Sequence, residues 1–203
     1  MMKGAALANA GPKEDRPESD FFPTPPDVTT ALIDWLGLPG DTHVWEPACG
    51  DGAMADVIRG YGHFVSVSDI RPAAMPGAVT WDFLQAAWPT ATAGRKPEWI
   101  ITNPPFNMAE AFIRQALSIT PNVAMLLKSQ FWHAQSRAKL FGEHPPSAIL
   151  PLTWRPDFLA GEKGGAPTMD CLWTVWWPER HFRAINPTHY QPLMRPSGTR
   201  SLL

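Results

Sequence analysis

Apolar positions along this chain fall into short runs that switch between a helical and a strand period. Val28, Ala31, Leu32, Trp35 and Leu36 form one helical stripe, with Asp27 as a candidate cap and Gly37 as its stop. Strand-type runs then recur at His43-Val44-Trp45, Phe64-Val65-Ser66-Val67-Ser68, Ala78-Val79-Thr80-Trp81, Trp99-Ile100-Ile101-Thr102 and residues 123–127, 148–152 and 171–177. Helical patterns lie between them at residues 54–59, at Phe112, Ile113, Ala116 and Leu117, and at residues 134–141. This alternation predicts an α/β fold with a doubly wound, mostly parallel seven-stranded sheet. Residues 153–169 join the last two strands without a helical pattern, so a hairpin there makes the last strand antiparallel.

At 203 residues the chain suits one domain with a substantial core. Its 23 prolines, many paired or beside Gly, predict short elements joined by tight, irregular connections rather than a helical bundle. The formal net charge of −2 advertises no global affinity for nucleic acid, so any such contact has to be local. Two distant cysteines, Cys49 and Cys171, neither demand a disulfide nor offer a metal cage, and no metal site is expected. No apolar run reaches the length of a membrane span, and the N-terminus lacks a signal-peptide core, so a cytoplasmic protein is expected. Residues 1–20 read as a mobile tail, 21–178 as the folded domain, and 179–203 as a basic tail. That last segment, with Arg180, Arg183, Arg195 and Arg200, reads as a loose tail or as an extended arm across the surface.

The candidate chemistry lies where strands end. In a doubly wound sheet, ligands sit outside the carboxyl ends of the strands, at the switch in strand order. Glu46-Pro47-Ala48-Cys49-Gly50-Asp51-Gly52 follows the first strand and opens a helix. Its glycines let the backbone turn sharply, and the helix start offers N–H groups. Asp69 ends the second strand, at roughly the twenty-residue offset where an acid meets ribose hydroxyls. Asp82-Phe83 ends the third, where an acid can accept from an adenine amine while the ring packs on the purine. Each acid taken alone is an ordinary solvated strand-end cap; three in succession point to a nucleoside. Glu46 and Asp51 would repel a pyrophosphate, which favours an adenosine ligand with positive charge, such as S-adenosylmethionine, over NAD or ATP. The fourth strand ends in Asn103-Pro104-Pro105-Phe106. Prolines force the chain out of the sheet there, leaving an amide, backbone carbonyls and a flat ring. By itself the tetrapeptide is equally a strand-terminating turn with a buried Phe.

The order Phe22-Pro23-Thr24-Pro25, Glu46 to Gly52, Asp69-Ile70, Asp82-Phe83-Leu84 and Asn103-Pro104-Pro105-Phe106 resembles the S-adenosylmethionine-dependent DNA adenine-N6 methyltransferases, compact phage-type members above all. The resemblance covers about residues 21–178 and implies a Rossmann-like class I methyltransferase fold. It further implies that Thr24 contacts the methionine end of the cofactor, that Glu46, Pro47, Cys49, Gly50, Asp51 and Gly52 hold its amino-acid moiety, and that Asp69 and Ile70 bind ribose and adenine. Asp82 and Phe83 complete the adenine site, and Asn103, Pro104, Pro105 and Phe106 form the catalytic clamp. The target base would be flipped out of double-stranded DNA onto Phe106. Phe158, in Arg155-Pro156-Asp157-Phe158, is a candidate second wall, with core packing as its alternative, and Lys128 a candidate phosphate contact. Firm phosphate binding needs Lys128, Arg137, Lys139, Arg155, Arg183 and Arg195 gathered on one face. Gly161-Glu162-Lys163-Gly164-Gly165 is either a loop touching nucleic acid or an inert hairpin loop. There is room for no separate target-recognition region, so a homodimer or a recognition subunit is a candidate partner. Two rival readings stand beside this one: the same chemistry on RNA adenine or a protein glutamine, and a non-catalytic cofactor-binding subunit.

Overall fold

The computed structural model describes residues 23–72, 74–85, 95–158, 169–178 and 188–197. The expected N-terminal tail, the 161–165 loop, and Arg180, Arg183 and Arg200 lie outside the described residues. In chain order the elements are α1 (Pro26–Leu36), β1 (His43–Glu46), α2 (Ala53–Gly60), β2 (Phe64–Asp69), β3 (Val79–Thr80), β4 (Trp99–Thr102), α3 (Ala109–Ile119), β5 (Val123–Lys128), α4 (Arg137–Glu143), β6 (Ala148–Pro151), β7 (Cys171–Trp176) and β8 (His189–Tyr190). They build one sheet in the order β3-β2-β1-β4-β5-β7-β6-β8. Strands β3, β2, β1, β4 and β5 are mutually parallel, while β7 runs antiparallel to both β5 and β6.

Every residue of β1, β4 and β7 is buried, as expected of central strands covered on both faces. On one face, Val28, Leu32 and Ile33 of α1 and Met54, Ala55 and Ile58 of α2 pack over Val44, Val65 and Ile101. On the other, Phe112, Ile113 and Ala116 of α3 and Leu140 of α4 pack over Trp45, Ile100 and Met125. The sheet is therefore doubly wound, with the predicted antiparallel strand in place. Both cysteines are buried and free. Among the described residues, no helix is long and apolar enough to cross a membrane.

Two local expectations change. Asp27 is not the cap of α1: Pro25 holds that position with Pro26 at the first helical residue, and Asp27 sits one residue further in. Its carboxylate pairs instead with Arg195, 2.7 Å away. Gly37 does stop the helix, in the left-handed conformation at φ 55°, with its N–H on the Ile33 carbonyl. Of the two readings of the C-terminal segment, residues 188–197 follow the arm and not the loose tail. They add β8 to the β6 edge, so the sheet has eight strands, and they bury Leu193 in the core over Leu150 and Phe158. Basic composition hid this segment, because one leucine and a two-residue strand leave no periodic signal. Leu193→Ala is expected to cost about 2–4 kcal/mol in chemical denaturation, against a few tenths for a substitution in an unattached tail.

Candidate active site

Strand order turns between β1 and β4, because α2 leaves β1 toward one face and α3 leaves β4 toward the other. A cavity of about 540 Å³ opens at the carboxyl ends on this crevice. Thr24, Glu46, Pro47, Cys49, Asp51, Asp69, Ile70, Asp82, Phe83, Asn103, Pro104, Pro105 and Phe106 all line it. Thus the ends of four strands, scattered through the sequence, face one space.

The loop after β1 is fastened from within. Cys49 N–H donates to the Ser68 carbonyl, and Gly52 N–H to the Cys49 carbonyl. Gly50 and Gly52 shape the turn rather than line the cavity, with φ of 58° and 91°. A Cβ on Gly52 would lie 2.6 Å from the Met75 sulfur. Gly50 N–H donates to Asp69 Oδ2 and Ala53 N–H to Asp51 Oδ1, so two backbone donors that the sequence offers to a ligand are already engaged.

Asp69 is more heavily engaged than its strand-end position suggests. Besides Gly50 it accepts from the Arg71 backbone N–H at 2.9 Å and from two guanidinium N–H groups at 2.9 and 3.1 Å. Burial alone would raise its pKa, but these donors outweigh burial and hold it below the usual carboxylate value. Glu46 stands in the opposite state. It is buried, its Oε2 has no hydrogen-bond partner, and burial, reinforced by Asp51 and Asp69, pushes its pKa well above the usual value against the Ala55 backbone donor. The same burial and neighbouring acids push the Cys49 thiol up to about 12, which makes it inert as a nucleophile.

On the β4 side, Asn103 Nδ2–H donates to Thr24 Oγ1 at 3.1 Å across 79 residues of sequence. The bond commits the nitrogen end of the amide to Thr24, which leaves the oxygen as the end that can accept from an amine. Phe106 is half-buried, and the Lys128 ammonium sits 3.6 Å from its ring centroid.

Comparisons with known proteins complete the picture of the fold. No family model and no curated protein matches the chain. Solved structures do. A candidate RNA methyltransferase from Pyrococcus horikoshii superposes with a TM-score of 0.60 at 14% identity, over 79% of this chain and 88% of that one. A type I restriction-modification methyltransferase subunit from Streptococcus thermophilus gives 0.61 at 12% identity, over 84% of this chain but 47% of that subunit. A candidate class I S-adenosylmethionine-dependent methyltransferase from Listeria monocytogenes gives 0.55 at 13%, over 82% of this chain and 62% of that one. This is the class I methyltransferase fold.

Within that fold, three predicted substrate residues part company. Lys128 is not among the lining residues; its ammonium stands over the Phe106 ring. Arg155 does not line it; its guanidinium pairs with Asp170 at 2.8 Å. Phe158 is a core residue in the α1–α2 layer and provides no second wall. Nor do the cations among the described residues gather on one face. Arg137 pairs with Glu110 and Lys139 with Glu143 on the α3–α4 side, whereas Arg195 pairs with Asp27 of α1 on the opposite side. Sequence alone gives no sign of Arg71 or Trp81 as lining residues. Trp81 directly precedes Asp82, and its buried indole N–H has no hydrogen-bond partner.

The state of Glu46 sets a pH dependence. A folded-state pKa above the usual 4.5 means that the folded protein holds this proton more tightly than the unfolded chain. The associated stability is present at low pH and is lost as pH rises through the folded value. Glu46→Gln cannot ionise, so it is expected to melt higher than wild type at pH 8, the difference shrinking toward pH 5 in thermal scans.

Proposed function

We propose that this chain transfers a methyl group from S-adenosylmethionine to the N6 amine of adenine in DNA, on a flipped-out base. The observation that carries the reading is the meeting of Thr24-held Asn103 and the rest of Asn103-Pro104-Pro105-Phe106 with the acidic strand ends in one cavity.

The residues fit the cofactor by charge. Glu46 has a buried carboxylate oxygen without a partner, the acceptor an ammonium group needs. Asp51, Asp69 and Asp82 make the same cavity hostile to phosphates. Asp69 would receive the ribose hydroxyls in the places now held by Arg71, and Asp82 the adenine amine, with Ile70, Phe83 and Trp81 around the ring. When bound, the cofactor supplies a methyl group already activated by its sulfonium. The protein therefore has to align the incoming nitrogen and stabilise the charge it acquires. The adenine amine is a weak nucleophile because its lone pair is delocalised into the ring. Acceptance of its two hydrogens by Asn103 Oδ1 and the Pro104 carbonyl favours the pyramidal nitrogen and stabilises the positive charge. No general base is needed before attack, since the methylated amine is acidic enough to lose its proton to water.

Phe106 supplies the stacking face for the base, and Lys128 fixes the ring plane. A planar purine suits that ring better than a glutamine amide does. RNA adenine is the second reading, favoured by the likeness to a candidate RNA methyltransferase that the chain spans over 88% of its length. DNA as the substrate and a cytoplasmic setting belong to the same proposal, and so does a dimer or recognition subunit, because the described residues supply no broad cationic surface.

Incubation with tritiated S-adenosylmethionine and unmethylated DNA, RNA or cell extract, followed by nucleoside and amino-acid mass spectrometry, tests this directly. N6-methyldeoxyadenosine is expected; label in glutamine alone, or none with cofactor binding intact, would refute it. Asn103→Ala is expected to lower turnover about 100-fold or more while cofactor affinity by calorimetry stays nearly unchanged. Lys128→Gln should raise KM for the nucleic acid about 2- to 30-fold, the worth of a cation–π contact, and leave cofactor affinity alone.

A further inference from the structure

The C-terminal segment 188–197 reaches from the outer sheet edge back to the start of α1. Strand β8 pairs with β6, Leu193 N–H donates to the Pro151 carbonyl, and both the N–H and the hydroxyl of Thr153 donate to the Leu193 carbonyl. Trp35 of α1 stacks on His189 and donates its indole N–H to Gln191. The segment then places Arg195 Nε 2.7 Å from Asp27 Oδ2.

Asp27 is a costly residue to hold where it is. Its side chain is 6% exposed, and its Oδ1 is buried with no hydrogen-bond partner. Among the described residues, Arg195 is the cation paired with it. Without that partner a buried charge is left uncompensated, which favours letting water in at the first turn of α1.

What precedes Asp27 makes such a movement consequential. The sequence Thr24-Pro25-Pro26-Asp27 joins it to Thr24 through two prolines, whose φ angles are locked by their rings. Pro25 sits at φ −56°, and its carbonyl accepts the Val28 N–H at 3.0 Å, so the link is stiff and tied to the helix. Thr24 is buried, and its hydroxyl oxygen accepts the Asn103 amide at 3.1 Å. A shift of a few tenths of an ångström at Asp27 thus reaches that bond with little slack in between.

We propose that Arg195 is a positioning residue for Asn103: it clamps Asp27, the paired prolines carry that position to Thr24, and the Thr24 hydroxyl orients the Asn103 amide. This role rests on the reading of Asn103 as the catalytic acceptor. It also gives the basic C-terminal segment a part in the site, 92 residues along the chain from Asn103.

The test uses the full chain and a thermodynamic cycle. Arg195→Ala is expected to lower kcat about 10- to 100-fold, with KM for the nucleic acid nearly unchanged, and Arg195→Lys to recover most of the loss. Thr24→Val removes the hydroxyl at nearly constant shape. If Arg195 acts through Thr24, Arg195→Ala together with Thr24→Val is no slower than Thr24→Val alone. Independent, multiplicative losses, or an unimpaired Arg195→Ala, would overturn the role. A second readout does not depend on methyl transfer: the Asn103 side-chain amide signals in a nitrogen-15 spectrum, identified by their absence in Asn103→Asp. They should move in both Arg195→Ala and Thr24→Val, even if no substrate is methylated. Unmoved signals in folded Arg195→Ala protein would also overturn the role, whatever the reaction proves to be. Should Arg195→Ala fail to fold, Asp27→Asn breaks the pair without stranding a charge and must give the same pattern.

Discussion

The central strands of this sheet are covered on both faces, and the rest of the molecule follows from that constraint. A strand packed between two helical layers can present polar groups only at its ends. Because α2 and α3 leave β1 and β4 toward opposite faces, the ends of those strands open onto a crevice instead of being roofed by a helix. Glu46 stands on one side of that crevice and Asn103 on the other, with Asp69 and Asp82 on the strands beyond β1. The cavity is the place where the packing problem is left unsolved, and its chemistry is the set of groups left there.

Those groups are set against the stability of the domain. Among the described residues, four carboxylates line the cavity and Arg71 is the one cation. Arg71 and backbone donors hold the Asp69 carboxyl below the usual carboxylate range, while burial, with Asp51 and Asp69 nearby, pushes that of Glu46 well above it. A carboxyl group raised by burial ionises more readily when a cation stands beside it, since the incoming charge offsets the lost hydration. By charge, such a lining suits a positively charged ligand better than a phosphate. Cys49, raised by the same neighbours, takes no part as a nucleophile.

The other side of the crevice depends on distant segments. The amide of Asn103 is oriented by Thr24, Thr24 is joined by prolines to the first turn of α1, and that turn is held by Trp173 of β7 as well as by Arg195. The Trp173 indole N–H donates to the Val28 carbonyl, so α1 is tied to the sheet from below and from its end. The orientation of one amide is thereby a property of the whole domain. The similarity to solved structures, at 12–14% identity for the three compared, is one of fold, and the roles proposed for these side chains stand on their placement in the cavity.

Much of this was legible in the residues themselves. Strand and helix periods are local, so the alternation of elements, the doubly wound sheet and the antiparallel β7 could be read directly. Glu46, Asp69, Asp82 and Asn103 were legible for the same reason: each interrupts an apolar run at its end, where a polar side chain has no core to enter. Side chains whose role depends on a partner far along the chain were not. Asp27 has the composition of a helix cap, yet Arg195 makes it an ion pair; Phe158 has that of a stacking wall, yet Leu193 and its neighbours bury it in the core. Arg71 carries no local pattern, and Trp81 reads only as the end of a strand run, with nothing to mark it as a lining residue. By itself, then, the sequence determined which elements form and which residues end the strands, because propensity and periodicity act over a few residues. Only the tertiary structure decided which of those ends share a cavity, which charges are already neutralised and what orients Asn103, because contacts between distant residues depend on how the layers pack.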